Sequence, residues 1–215
     1  MKKETRNLIS EEIDALIPRI EKRDDDTEII TGYAAVFYRE GKRGTEFSLW
    51  DDYVERILPG AFDSVLKQDV RALFNHDPSQ ILGRTKNKTL TLSIDDTGLR
   101  YEIEPGNTRH GRDTLESVRR GDVTGASFSF GLARNGVELV EDGKRLIRNI
   151  KKVSRLYDVG PVTFPAYEAA TASARDIEEA QAEIEEYRRE QADAAKAATE
   201  TRRRIYQFSK RRLDI

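Results

Sequence analysis

The sequence predicts a mainly β (α+β) fold, a closed or nearly closed β-barrel with short helices on its outside, followed by one long C-terminal helix. Three observations predict it. Short β-rich segments separated by turn residues recur through the middle of the chain, and two short amphipathic segments interrupt them. Residues 176–215 contain neither Gly nor Pro and form one helical stretch. The same shifts in composition divide the chain into a charged segment at 1–26, a β-rich domain at 27–175 and a helical arm with a basic end at 176–215.

The elements follow in chain order. The segment "MKKETRNLISEEIDALIPRIEKRDDD" has helical character around Glu11–Ile20 and ends in the acidic run Asp24–Asp26. Its two lysines precede no apolar run, so it does not have the form of a signal peptide. "EIITGYAAVF" is a strand, and "PGAFDSVLKQ" starts a short helix after the turn at Pro59–Gly60. In "VRALFNHDPSQILGRT", Val70, Ala72, Phe74 and His76 share one face of a strand that Pro78 then breaks. "TLTLSID" and "LRYEIEP" flank "DTG" as a hairpin. "RDTLESVRRG" puts Leu115 and Val118 on one helical face, with Gly121 as a stop. "GASFSF" alternates, so Ser127 and Ser129 point one way and Ala126, Phe128 and Phe130 the other. "NGVELVEDGKRLIRNIKKV" turns at Asp142–Gly143, and "RLYDVGPVTF" closes the set.

The arm is polarised. From Asp176 to Glu200 it carries nine acids against three bases, and from Thr201 onward six bases against Asp214. Acid first and base last complements a helix dipole. Ile177, Ala180, Ile184 and Tyr187 form a thin apolar stripe suited to docking.

Composition narrows the function classes. Over 215 residues, 37% hydrophobic and 35% charged, with a mean hydropathy of -0.69, the chain is more polar than a compact globule of its size, which fits a solvated arm. A net charge of -2 points to no overall nucleic-acid or membrane field. The absence of cysteine excludes disulfides, zinc-thiolate sites and a cysteine nucleophile. No apolar stretch approaches the roughly 18 residues of a membrane span. The chain also has no P-loop, dinucleotide glycine fingerprint or GxSxG elbow.

Two histidines limit the acid–base chemistry. His76 leaves an apolar strand face at a turn, a position at the rim of a cleft, while His110 in "NTRHGRD" reads as a solvated loop residue. Metal binding is disfavoured, because His76 and Asp77 are adjacent and no second histidine stands at ligand spacing. A serine hydroxyl is a weak nucleophile at neutral pH and needs a base within hydrogen-bonding reach. That base needs a carboxylate to orient it. Asp158, in mid-strand between apolar neighbours, would be costly to bury unpaired, which makes it the stronger orienter. Glu168, beyond Pro165, is the alternative. On pattern alone, "GASFSF" reads first as a half-buried strand edge with an ordinary polar face.

Five segments in this order, "ITGYAAVF", "ERILPGAF", "LFNHDPSQILGRT", "VRRGDVTGASFSF" and "LYDVGPVTFPAYEAAT", resemble the prohead (capsid maturation) serine protease family of tailed bacteriophages. The resemblance covers about Ile30 to Arg175. It implies a barrel like that of the herpesvirus assemblins, wrapped by short helices. It also implies that His76 of the "NHD" segment is the general base and Ser127 the nucleophile. The family usually has Gly where this chain has Ser129. Two residues along a strand span about 6.6 Å, so Ser129 does not share the hydrogen bond of Ser127 to His76. Asp158 matches the acid that usually starts the family's "EVS"-like strand, with Gly160 in place of the usual serine, and Glu168 stays open as the third member.

The resemblance implies a serine endopeptidase that works through an acyl-enzyme, without cofactor or metal, in the host cytoplasm inside the assembling procapsid. Its implied substrates are scaffold or major capsid protein and the protease itself. Self-association is expected, and membrane and nucleic acid are not expected partners. The competing expectation is a catalytically idle assembly or scaffold-associated protein acting through its C-terminal helix. A third, a nucleic-acid module led by "RRRIYQFSKRR", is weaker, because a protein partner suits a basic end beside an acidic segment at least as well.

Overall fold

A computed structural model describes residues 4–8, 17–50, 52–164 and 174–213. The strands, in chain order, are β1 (Glu4–Leu8), β2 (Arg19–Lys22), β3 (Glu28–Val36), β4 (Phe47–Trp50), β5 (Tyr53–Ile57), β6 (Arg71–Leu73) and β7 (Ile81–Arg84). After these come β8 (Leu90–Ile94), β9 (Gly98–Ile103), β10 (Gly125–Leu132), β11 (Val137–Asp142), β12 (Arg145–Ile150) and β13 (Val153–Val162). Helix α1 (Arg109–Arg119) lies between β9 and β10, and α2 (Ala174–Leu213) follows β13. Contacts divide the chain into two units, Met1–Thr171 and Ala172–Ile215.

The first unit is mainly β, as the alternation of apolar residues requires. Its strands form three sheets, in the orders β1-β10-β13-β6-β7, β11-β12-β5-β4 and β2-β3-β9-β8. Each order has two ends, so among the described residues the closed or nearly closed barrel expected from the sequence is seen as three sheets with no closed ring. Pairing is antiparallel except between β12 and β5 and between β13 and β6.

The predicted hairpins at "DTG" and Asp142–Gly143 form as β8–β9 and β11–β12. Helix α1 also forms as expected. Thr108 caps its start by accepting a 3.0 Å bond from the Gly111 amide, and Gly121, at φ 76°, follows its end. The helix expected in "PGAFDSVLKQ" does not form. Its amides bond three residues back, as in Asp63 to Gly60 and Gln68 to Val65, giving successive turns. Side chains from this stretch bind strand carbonyls instead: Ser64 Oγ donates to Val153 at 2.9 Å and Gln68 Nε2 to Ser154 at 2.8 Å. Tertiary contacts override helix propensity here.

The N-terminal segment differs from expectation as well. Arg19–Lys22 is a strand on β3, and Glu4–Leu8 is a strand on β10; the rest of the expected helix, residues 11–16, lies outside the described residues. Arm α2 is one 40-residue helix, about 60 Å long at 1.5 Å per residue. Ile184 and Tyr187 of its stripe are half-buried; the side chains of Ile177 and Ala180 lie outside the described set.

The core beneath the first sheet is aromatic. Phe128 stacks on Phe130 at 5.0 Å between centroids, and Phe62 meets Phe128 edge-on at 5.6 Å. This burial fixes the register of β10, because a slip of one residue would exchange its phenylalanine face for its serine face.

Candidate active site

Strand β10 sits between β1 and β13, with Ser127 opposite Gly160 and Ser129 opposite Asp158. The alternation Ala126–Phe130 therefore sends both serines to the face on which Asp158 lies. That face is not a solvated one. Ser127 and Ser129 are fully buried, as is the phenylalanine face behind them, so β10 is covered on both sides.

His76 arrives from the neighbouring strand pair. β13 runs parallel to β6, with Asp158 beside Arg71, and the chain leaves β6 at Leu73 into the turn 74–80. The strand ends earlier than Pro78, so His76 is a turn residue. Asn75 and His76 both have left-handed backbones, φ 52° and 57°. Each costs about 1–2 kcal/mol for a residue with a Cβ. Hydrogen bonds on both sides offset the cost. The Asn75 amide donates to the Pro161 carbonyl at 3.1 Å, and its side chain pairs with Thr163, accepting from the Thr163 amide at 2.8 Å and donating to Oγ1 at 3.1 Å. On the other side, Asp77 Oδ1 accepts from the Ser79 amide (2.8 Å) and hydroxyl (2.7 Å), and Oδ2 from Gln80 Nε2 (2.9 Å). Those bonds, chiefly from Ser79 and then Gln80, hold the Asp77 carboxyl below its ordinary range. The residues around His76 thus act as two anchors, one on β13 and one within the turn.

The imidazole so held bridges two strands. Its Nε2 is 2.5 Å from Ser127 Oγ, and its Nδ1 is in short contact with Asp158 Oδ1. Ser129 Oγ lies 3.1 Å from the same Nδ1 and 3.4 Å from Asp158 Oδ1. The two serines on one strand face therefore meet opposite sides of the ring, Ser127 at Nε2 and Ser129 at Nδ1. With the proton on Nδ1 donated to Asp158, Nε2 is free to accept from the Ser127 hydroxyl, while Ser129 donates to the carboxylate. Asp158, buried in mid-strand, is paired, as its burial demands.

Gly160 has a steric role. A Cβ there would lie 2.2 Å from the Leu73 carbonyl oxygen, so glycine permits β13 to approach β6 closely enough for Asp158 to meet His76. Glu168 lies outside the described residues. His110, expected in a loop, is exposed in the first turn of α1. Among the described residues no three His, Asp or Glu side chains cluster as a metal site, and no helix is long and apolar enough to cross a membrane.

The strand pair that carries His76 is pinned at its far end by Asp69. Its carboxylate accepts from Arg84 Nε at 2.8 Å and Nη2 at 2.6 Å. These bonds, with the charges of Arg71 and Arg84, lower its pKa from the ordinary 3.8 to about 2. The unfolded chain therefore takes up this proton at a higher pH than the folded one. The contribution of Asp69 to stability is full above the ordinary value and is lost as pH falls from there toward about 2. Asp69→Asn should accordingly melt below the parent protein at pH 7, and the gap between their melting temperatures should close over that acid window. A gap independent of pH would show that the pair does not stabilise the fold through its charge.

A serine hydroxyl, an imidazole and a carboxylate in hydrogen-bonded series are the arrangement of serine hydrolases. The chain belongs to the caudovirus prohead serine protease family, whose model matches residues 17–183. Neither the curated proteins nor the solved structures contain a match.

Sequence reasoning singled out Ser127, His76 and Asp158, which the structure brings together. It missed Asn75 and the structural use of Asp77. The signal for Asp77 was present: an Asp two residues before a Ser, with Pro between, is an Asx-turn pattern.

Proposed function

We propose that this chain is a serine endopeptidase of procapsid maturation, with Ser127 as nucleophile, His76 as general base and Asp158 as the acid that orients it. The observation that carries the proposal is the 2.5 Å contact between Ser127 Oγ and His76 Nε2, with Asp158 on the opposite ring nitrogen. As the Ser127 oxygen attacks the scissile carbonyl, its proton passes to Nε2, and the carboxylate stabilises the resulting imidazolium. The imidazolium then protonates the leaving amine, and a water molecule deprotonated by Nε2 clears the acyl-enzyme. Family membership supports scaffold or major capsid protein, and the protease itself, as substrates, with action inside the procapsid in the host cell. The domain at 27–175 carries the chemistry, and the arm, with its acidic and basic halves, serves self-association or scaffold binding.

The test is mass spectrometry of scaffold and major capsid protein co-expressed with the chain. Defined new termini that depend on the protease are expected. Intact partners at every expression ratio would favour an idle assembly protein instead.

A further inference from the structure

The edge of β10 raises a question that the chemistry leaves open. A protease holds its substrate as an extended strand, and an extended peptide binds most readily along a sheet edge. Among the described residues there is no such edge beside Ser127. On one side β13 pairs along the whole of β10 and carries Asp158, so it cannot leave without dismantling the site. On the other side β1 pairs antiparallel from Glu4 opposite Phe130 to Leu8 opposite Ala126, with Asn7 opposite Ser127. Ser127 itself is fully buried.

Three observations mark β1 as the removable neighbour. Among the described residues it is the outermost strand of its sheet, paired with β10 alone. Its sequence, Glu-Thr-Arg-Asn-Leu, has one large apolar residue in five and three that are charged or carry an amide, a composition poor in the residues that favour strands. It also lies outside residues 17–183, the part of the chain that matches the family.

We infer that Glu4–Leu8 is an intramolecular occupant of the substrate edge of β10, and that an extended substrate segment must displace it to reach Ser127. The inference rests on the proposed role of Ser127 for its functional meaning, but strand exchange at β10 stands on the pairing alone. β1 holds the place of the substrate backbone in the resting enzyme, and substrate competes with it. Apparent affinity is then reduced by the fraction of molecules in which β1 is bound. A scaffold or capsid segment presented at the high local concentration of a procapsid overcomes that reduction better than a dilute one does.

Two measurements test this. In the parent protein, hydrogen exchange should find the Glu4–Leu8 amides exchanging at least a hundredfold faster than the β13 amides that face β10; equal protection would overturn the inference. In the full chain, Thr5→Pro with Arg6→Pro removes two consecutive amides, which point to opposite sides, so whichever faces β10 is lost. A fluorescent peptide of residues 3–10 should bind this variant at least tenfold more tightly than the parent, and cleavage of a capsid or scaffold peptide should gain a similar factor in kcat/KM, mainly through KM. Equal binding of the residue 3–10 peptide to both proteins would overturn strand exchange. Gained binding with no Ser127-dependent cleavage in either protein would sink the protease reading and leave strand exchange standing.

Discussion

Ser127→Ala is expected to abolish processing of co-expressed capsid or scaffold protein, with a loss on the order of 10⁴–10⁶-fold in kcat, because removing the nucleophile leaves only binding and electrostatic stabilisation. The fold should survive. One hydroxyl is removed from a strand whose register is held by Phe128 and Phe130, and a lost hydrogen bond costs about 1 kcal/mol. Ser129→Ala is the informative control, since Ser129 sits two residues along the same face and touches the same ring. Its contacts, 3.1 Å to Nδ1 and 3.4 Å to the carboxylate, help orient the base without reaching Nε2. Its loss should cost less than about tenfold, the rate equivalent of one modest hydrogen bond. Intact-mass analysis of the products, with melting curves of both variants, checks both statements. An inactive Ser129 variant beside an active Ser127 variant would reverse the assignment within "GASFSF".

Asp158→Asn is expected to lower kcat by about 10⁴-fold, the effect of losing the acid that selects the proton-accepting tautomer. Asparagine preserves the size of the side chain but not its charge, so Nδ1 loses its carboxylate and an imidazolium at His76 loses its counter-ion. Glu168→Gln should change the rate little by comparison, and equal small effects from both would mean that neither acid orients the imidazole. His76→Ala should be inactive. Rates of the purified variants on one peptide substrate decide among these.

Much of the site was legible because its constraints are local in the sequence. Alternation in "GASFSF" puts two serines on one face, and a carboxylate flanked by Leu156 and Gly160 needs a partner when buried. The ordered segments joined these to His76. What was not legible came from relations that no local pattern encodes. The left-handed backbone at Asn75 and His76 depends on an anchor to Thr163, across 88 residues. The reason for glycine at 160 is the Leu73 carbonyl, a backbone atom of another strand. The N-terminal segment read as charged helix because its composition favours one, whereas pairing to β3 and β10 decides its structure. Closure into a barrel was inferred from the number of strands, but number does not determine whether the edges meet.

The separation of the three side chains along the chain has a temporal consequence. Ser127 lies 51 residues from His76, and Asp158 lies 82 residues from it. On a ribosome His76 and Ser127 are therefore made first, and Asp158 follows Ser127 by roughly thirty residues, about two to six seconds at 5–20 residues per second. The strand that carries Asp158 is also the inner neighbour of β10, so before it is made β10 has only β1 beside it in its sheet. A chain that ends before β13 therefore lacks both the carboxylate and the strand that sets it beside His76.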